Sequence, residues 1–252
     1  MNKLSMLFWL IFSVYAFIFA ASSKPSTYSA DSIIVQNIFD SIGCSDCEVS
    51  PLTDSANGRI ISLYLEDMGL TSLPEAIGNL NALTYLSLWE NKFTDFPVQI
   101  GNLGALTQLD LSSNSITSLP AQIGNLNALN QLDLSNNNLA SLPAQIGNLS
   151  ALTQLNLSSN RLTLLPSEIG NLANLDTLLV KSNNLNSLPT SIIGLSKLTT
   201  ISFEFNNLCS ISEALKSWLD SMDYYWHFWQ VCYFAQDSLI LKEIFKANNI
   251  NN

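Results

Sequence analysis

Residues 106–128 read LTQLDLSSNSITSLPAQIGNLNA, and near copies of this 23-residue unit fill the middle of the chain. Leu109 and Leu111 alternate with Gln108, Asp110 and Ser112, which predicts a short strand with a buried leucine face and an exposed polar face. The copies start at one shared apolar position, at Ile60, Leu83, Leu106, Leu129, Leu152, Leu175 and Leu198. This constant spacing predicts seven stacked units, because no unit could bury its leucines alone.

The second half of the unit, LPxxIGNLxx, gives each copy a turn and a return segment. An apolar residue precedes proline at Leu73-Pro74, Phe96-Pro97, Leu119-Pro120, Leu142-Pro143, Leu165-Pro166 and Leu188-Pro189. Each proline favours an extended residue before it and so keeps the strand from running on as a helix. The glycines at positions 78, 101, 124, 147 and 170 suit a tight return, whereas Ile193 in the sixth copy predicts an altered turn between Ile192 and Leu195.

The combined pattern strongly resembles the leucine-rich repeat family, and its LPxxIGNL half is similar to the Ras-group repeats of that family. The resemblance covers residues 60–208. It implies an α/β solenoid, a horseshoe with a parallel concave sheet, seven repeats and a cap at each end. It also implies a recognition module that binds another protein through the concave face, although one fold serves many ligands.

The first 21 residues read as a secretory signal, which predicts a secreted or cell-surface protein. Lys3 precedes an apolar run from Leu7 to Ala21, and small residues follow at once, which indicates cleavage near residues 20–22. The alternative is an uncleaved membrane anchor, but the run is short for a full span of ~20 apolar residues. No membrane span is expected after cleavage.

Residues 22–59 form the predicted N-terminal cap. Within them, Asp31–Gly43 reads as a short amphipathic helix. Its apolar stripe consists of Ile34, Ile38 and Ile42 and is widened by Ile33 and Val35. Asp31 or Ser32 could cap the start of this helix, and Gly43 could end it.

Residues 209–235 form the predicted C-terminal cap, and Ala214, Leu215, Trp218 and Leu219 have helical spacing within it. This segment resembles the caps that end secreted bacterial leucine-rich repeat proteins, with matches at Trp218, Leu219, Asp220, Trp226, Gln230 and Cys232. Residues 236–252 resemble the opening helix of a second N-terminal cap. Two unrelated cap helices are the alternative explanation for that likeness.

The four cysteines, Cys44, Cys47, Cys209 and Cys232, are predicted to form disulfides within the two caps. Export would place them in an oxidising compartment, where cysteines pair. A single CxxC also fits a redox or zinc site. However, strands stacked ~4.8 Å apart would hold the other pair too far away to complete one metal site, so no metal is expected.

Composition narrows the classes of function. Twenty acidic and ten basic residues give a formal charge of −10, which repels nucleic acid. The single histidine, His227, has no evident catalytic partner, and the chain lacks a glycine-rich phosphate loop. We therefore expect no enzymatic activity and no cofactor.

One asparagine per unit occupies the position where the strand turns away, at Asn91, Asn114, Asn137, Asn160, Asn183 and Asn206. A buried amide there can donate to and accept from backbone groups of its own and the neighbouring unit. These residues, the asparagine ladder, are predicted to be structural.

The outward strand positions are the predicted partner-binding residues: Tyr64, Tyr85, Trp89, Gln108, Asp110, Gln131, Asp133, Gln154, Asn156 and Lys181. Tyr64, Tyr85 and Trp89 form an aromatic cluster at the N-terminal end, and such residues are enriched in binding hot spots. Packing beneath the cap is the alternative role for them. A protein ligand is the first expectation, a glycan stacked on the aromatics is the second, and a structural or adhesive surface component is the third.

Overall fold

The computed structural model describes residues 30–41, 53–209 and 211–222. Helix α1 spans Ala30–Ser41, strands β1 and β2 span Thr53–Ala56 and Arg59–Tyr64, and helix α2 spans Glu213–Met222. The remaining strands are β3 (Tyr85–Ser87), β4 (Gln108–Asp110), β5 (Gln131–Asp133), β6 (Gln154–Asn156), β7 (Thr177–Leu179) and β8 (Thr200–Ser202). The predicted signal, Cys44, Cys47, Cys232, His227 and the tail lie outside the described residues.

The strands form one eight-stranded sheet in chain order. β2 to β8 are parallel, and each pairs in a register of one repeat, as Leu86, Leu109 and Leu132 show. The predicted leucine-rich repeat solenoid with a parallel concave sheet is therefore confirmed. β1 adds an antiparallel strand at the first edge, joined to β2 by a turn in which Asn57 and Gly58 both have positive φ.

The core is a continuous stack of buried leucines and isoleucines between the sheet and a row of 3₁₀ turns. These turns span Glu75–Asn79, Val98–Asn102, Ala121–Asn125, Ala144–Asn148, Ser167–Asn171 and Thr190–Gly194. An extended proline precedes each turn, and its carbonyl accepts the first turn hydrogen bond, as in Ile123 N–H to Pro120 O at 3.0 Å. The fixed φ of proline thus starts each turn at the same place.

The turn glycines serve the packing between repeats and not a left-handed backbone. A Cβ at Gly101 would lie 2.5 Å from the carbonyl oxygen of Gln122 in the next turn, and the same crowding surrounds the glycines at 78, 124, 147 and 170. The predicted alteration at Ile193 is wrong, since Thr190–Gly194 is a 3₁₀ turn of the same length, closed by Leu195 N–H to Ile192 O. In the part of the chain that the structure describes, no further 3₁₀ turn follows it, so a side chain fits there.

Helix α1 covers the first repeat with Ile34, Val35, Ile38 and Phe39, all buried. Ile33 is 51% exposed, so it does not belong to the buried stripe that the sequence predicted. The helix ends at Ser41, two residues before the predicted Gly43, which lies outside the described residues.

Helix α2 follows the last strand and buries Leu215 and Leu219. The helical spacing predicted for Ala214, Leu215, Trp218 and Leu219 is confirmed. Ala214 is exposed, because its direction differs from that of its buried neighbour by one residue of helical rotation. Cys209 is disulfide-bonded, while the predicted pairing of the four cysteines involves residues that are not described. Over the described ranges, no helix has the length and apolar character needed to cross a bilayer.

Candidate functional site

The asparagine ladder fixes the edge of the concave face. The amide of Asn114 donates to Leu88 O, Leu111 O and Ser112 O, and its oxygen accepts the N–H of Phe93 at 3.0 Å. The same bonding recurs at Asn91, Asn137, Asn160 and Asn183. Each amide thereby joins its own repeat to the preceding one and holds adjacent strands in register.

The first outward column runs across the sheet as Tyr85, Gln108, Gln131 and Gln154, which pair strand to strand. Gln131 and Gln154 are exposed, and Gln108 is half-buried beside Tyr85. The middle of this column therefore presents a repeated amide surface with no charge. Such a surface offers hydrogen bonds without strong selection for one ligand.

The second outward column contains Asp110, Asp133 and Asn156, and part of its polarity is used within the chain. Asp110 Oδ1 accepts the N–H of Ser112 at 2.9 Å and its hydroxyl at 2.6 Å. Asn156 Oδ1 accepts the N–H of Ser158 at 3.1 Å, and its amide donates to Asp133 Oδ2 at 3.0 Å. These side chains brace the end of each strand as well as facing solvent.

The aromatic residues divide into two roles. The rings of Tyr64 and Tyr85 lie 5.1 Å apart, and the Tyr64 hydroxyl donates to Asp54 of β1 at 3.0 Å. Tyr64 therefore also helps to hold β1 at the N-terminal edge of the sheet. Trp89, on the same face, is 42% exposed, more than a side chain committed to the core would be.

The surroundings of Tyr64 and Tyr85 raise the pKa of both hydroxyls. The hydrogen bond to Asp54 is the main cause that raises the pKa of Tyr64. Burial is the main cause that raises the pKa of Tyr85, and the charges of Glu66 and Asp110 raise it further. The N-terminal part of the face is thus both aromatic and negatively charged.

Lys181 lies at the other end of the sheet, where its ammonium group is 5.5 Å from the ring centroid of Phe205. Sequence reasoning missed Phe205, which is 41% exposed and has a φ of 57°. The signal was present in the chain: the equivalent positions hold Asp67, Glu90, Ser113, Asn136, Ser159 and Ser182. Small or polar residues tolerate this left-handed conformation better than a bulky aromatic does.

The predicted residues are distributed unevenly over the face. Tyr64, Tyr85 and Trp89 occur with Asp110 at one end, Gln131, Asp133, Gln154 and Asn156 occupy the centre, and Lys181 stands apart. Within the residues that the structure describes, no three histidine, cysteine, aspartate or glutamate side chains could together hold a metal ion. The arrangement is a polar face with aromatic and charged side chains toward its two ends.

Comparison with known proteins agrees with this architecture. Residues 99–163 and 145–243 match the family described as leucine-rich repeat region, and residues 59–116 match the family described as leucine rich repeat. No curated protein sequence matches the chain. Repeats of this kind generally serve as non-enzymatic scaffolds for protein interaction.

Three solved structures illustrate the similarity. An internalin from Listeria monocytogenes is 27% identical, with a TM-score of 0.51 over 60% of this chain and 42% of its own. The structure of PEPR1-AtPEP1 is 27% identical, with a TM-score of 0.50 over 58% of this chain and 25% of that chain. A leucine-rich repeat protein of Leptospira interrogans is 35% identical, with a TM-score of 0.46 over 55% and 41% of the respective chains.

The alignments span less than half the length of each of these three solved chains. The region described as leucine-rich repeat, in contrast, accounts for more than half of the residues here. The chain therefore belongs to the leucine-rich repeat family, whose repeats form protein-interaction modules.

Proposed function

We propose that this chain is the recognition module of a secreted or cell-surface protein and that it binds a protein partner through the concave face of its sheet. The observation that carries the proposal is Trp89, a large aromatic side chain that is 42% exposed on a face whose middle is lined by polar groups. Exposure of a tryptophan side chain to water is energetically unfavourable. Tryptophan is also enriched at the centres of protein interfaces.

Two further features support this role. The sheet is rigid, because buried asparagines and a continuous leucine core hold every strand in register. A rigid surface loses little conformational entropy when it binds. The amides of Gln131 and Gln154 supply additional hydrogen-bonding groups at the centre of the same face.

The location and the caps belong to the same proposal. The apolar segment at residues 7–21 serves as a secretory signal, and the repeats are of the Ras-group type with cysteine-bearing caps of the secreted bacterial kind. In that compartment, Cys44 and Cys47 close one cap, and Cys209 and Cys232 close the other. The chain carries out no catalysis and needs no cofactor.

Photo-crosslinking from matched positions tests the binding face. p-Benzoylphenylalanine is placed at Gln131 on the exposed face of β5 or at Gln122, an equally exposed glutamine in the 3₁₀ turn Ala121–Asn125 on the opposite side. The two variants are irradiated on the intact surface of the source cells. We expect a discrete protein adduct from position 131 and none from position 122. Identical adducts from both positions would contradict concave-face binding.

A glycan array separates this proposal from the alternative of sugar binding, which rests on the same exposed indole. Wild type and Trp89→Ala are compared on the array. Sugar binding that is lost in the variant would replace the protein partner with a glycan, whereas absence of any sugar signal leaves the protein proposal in place.

A further inference from the structure

The strand register gathers one acidic and aromatic group around Ser87. On β3, Ser87 lies between Tyr85 and Trp89, and its neighbours on adjacent strands are Tyr64 and Asp110. Ser87 is 2% exposed, because larger side chains surround it on the same face. The backbone pairing continues beyond the strand, since Asp67 N–H donates to Trp89 O at 3.0 Å.

Glu66 adds a second carboxylate to this group. It precedes Asp67 on the strand extension next to Trp89, so it shares the third outward column with the indole. We call Tyr64, Glu66, Tyr85, Trp89 and Asp110 the acidic aromatic corner. By strand order, Glu66 lies on the β2 side of β3, and Asp110 lies on the β4 side. The charges of both carboxylates also raise the pKa of the Tyr85 hydroxyl.

The described part of the chain supplies no cation to this corner. Its one ion pair joins Arg59 to Asp31 at 2.8 Å. Lys92, the nearest lysine in sequence to Trp89, is directed toward Gly69, where a Cβ would lie 3.9 Å from its Nζ. Ser112 bonds Asp110 through Oδ1, and no described residue bonds Oδ2.

The opposite end of the sheet contains the complementary arrangement. There Lys181 covers the ring of Phe205, so an exposed aromatic already has an internal cation. At the corner, Trp89 and two carboxylates occur without one. Cations bind most favourably over an indole ring, and adjacent carboxylates strengthen that attraction.

We propose that the acidic aromatic corner receives an arginine or lysine side chain of the protein partner, with the cationic group over Trp89 and between Glu66 and Asp110. This inference rests on the proposed function and adds the chemistry of the partner: a basic segment, selected by charge and by the indole face together. The polar centre of the sheet then contacts the residues that flank the cation.

Three labelled peptides of ten residues test the inference by fluorescence anisotropy. They are five Gly-Arg repeats, the same peptide with citrulline, which has nearly the shape of arginine but no charge, and five Gly-Glu repeats. We expect the arginine peptide to bind at least tenfold more tightly than the citrulline peptide, and the glutamate peptide not to bind. Equal binding of arginine and citrulline peptides would overturn the proposal.

Variants distinguish the corner from the general negative charge of the protein. Trp89→Leu, Glu66→Gln and Asp110→Asn should each weaken arginine-peptide binding at least fivefold. Trp89→Phe, which keeps an aromatic ring, should weaken it less than Trp89→Leu does. Asp110→Asn preserves the strand end, since Asn156 bonds Ser158 in the same way. Glu75→Gln and Glu213→Gln remove the same charge from exposed positions elsewhere and should change binding less than twofold.

Equal losses in the corner and remote variants would show nonspecific attraction and refute the inference. The crosslinking pair at Gln131 and Gln122 separates this result from failure of the proposed function. If position 131 still yields its protein adduct while the peptides show no selectivity, concave binding stands and the basic partner does not. Circular dichroism of each variant confirms that binding is compared between folded proteins.

Discussion

Single residues act as connectors between repeats. In Asn137, one buried amide donates to Leu111 O and Leu134 O and accepts the N–H of Ile116. Asn137 is 7% exposed, so water has little access to replace these bonds. A single side chain therefore links two repeats through several buried hydrogen bonds.

We expect Asn137→Ala to lower the free energy of unfolding by about 2 to 4 kcal/mol, because it leaves several buried backbone groups without partners at ~1 to 3 kcal/mol each. Urea denaturation followed by circular dichroism measures the change. Asn127→Ala, at an exposed asparagine just after the 3₁₀ turn Ala121–Asn125, is the matched control and should shift stability by less than ~0.5 kcal/mol. Equal effects would refute the structural role of the amide.

Glycine acts on the opposite side of the solenoid by leaving space. Gly101→Ala would bring a Cβ to 2.5 Å from the Gln122 carbonyl, and backbone cannot move as a side-chain tip can. We expect a loss of roughly 3 kcal/mol, the upper end of overpacking costs. Gly104→Ala, three residues later with nothing within 4 Å, should be neutral or slightly stabilising. The same denaturation assay reports both, and a harmless Gly101→Ala would show that adjacent turns separate freely.

At the scale of elements, the N-terminal edge of the sheet is closed by α1 and β1. Asp31, 3% exposed, accepts the N–H of Ile60 at 2.9 Å and Nε of Arg59 at 2.8 Å. A helix is thereby fastened to the first repeat strand. An open edge would offer unpaired backbone groups to other chains, and the antiparallel β1 covers it.

Asp31→Ala should loosen this edge without unfolding the distant repeats, because repeat proteins lose structure locally from their ends. Hydrogen exchange monitored by mass spectrometry should accelerate in α1 and β2 and stay unchanged in β5 to β7. Arg59→Ala is the control: it removes the ion pair but leaves Asp31 to accept the Ile60 N–H, so acceleration should be smaller. Uniform acceleration along the whole sheet would contradict a local fastening.

At the scale of the whole molecule, stability comes from contacts between adjacent repeats, and the middle units are interchangeable. The turns Ala121–Asn125 and Ala144–Asn148 have the same sequence, and β4 and β5 both read QLD. Removing one such unit should therefore leave a solenoid that is shorter but otherwise unchanged. The two ends of the solenoid differ in sequence from these interchangeable middle units.

Deletion of residues 107–129 should give a folded, cooperative protein, because Asn130 then follows Leu106 in the repeat register. The denaturant m-value should fall by about one tenth, since it scales with the surface that unfolding exposes and 23 of the 252 residues are removed. Arginine-peptide binding should persist, because Asp133 replaces Asp110 beside Ser87. Deletion of residues 84–106 is the control, as it removes Tyr85 and Trp89 and should abolish that binding. Loss of cooperative unfolding in the first deletion would refute the interchangeable units.

The fold was largely predictable because its information is repeated. The spacing of Leu109, Leu132 and Leu155 fixes the parallel register, and each copy reinforces the same interpretation. Non-repeated segments carried weaker signals. The hairpin that adds β1 was missed, although Asn57-Gly58 is a strong turn signal, because its first strand, TDSA, lacks an apolar face.

For the candidate site, equivalent outward positions of the repeats identified Tyr85, Trp89 and Lys181 from the sequence. They did not show how these side chains interact. Only the folded chain brings Asp54 to Tyr64 and Lys181 to Phe205, because these contacts depend on side-chain direction across neighbouring strands. Asp110 is likewise partly structural, because it accepts a hydrogen bond from the Ser112 hydroxyl. These distinctions separate residues that can meet a partner from those already engaged.

By itself, the sequence determined the solenoid, its seven repeats and the asparagine ladder, because a unit that cannot bury its leucines alone must stack. The tertiary structure decided which exposed residues remain available. It also assigned the turn glycines to close packing between repeats and placed Asp54 within hydrogen-bond distance of Tyr64. Periodicity specifies neighbours along a repeat, whereas contacts between unlike side chains are set by distances that exist only after the strands have paired.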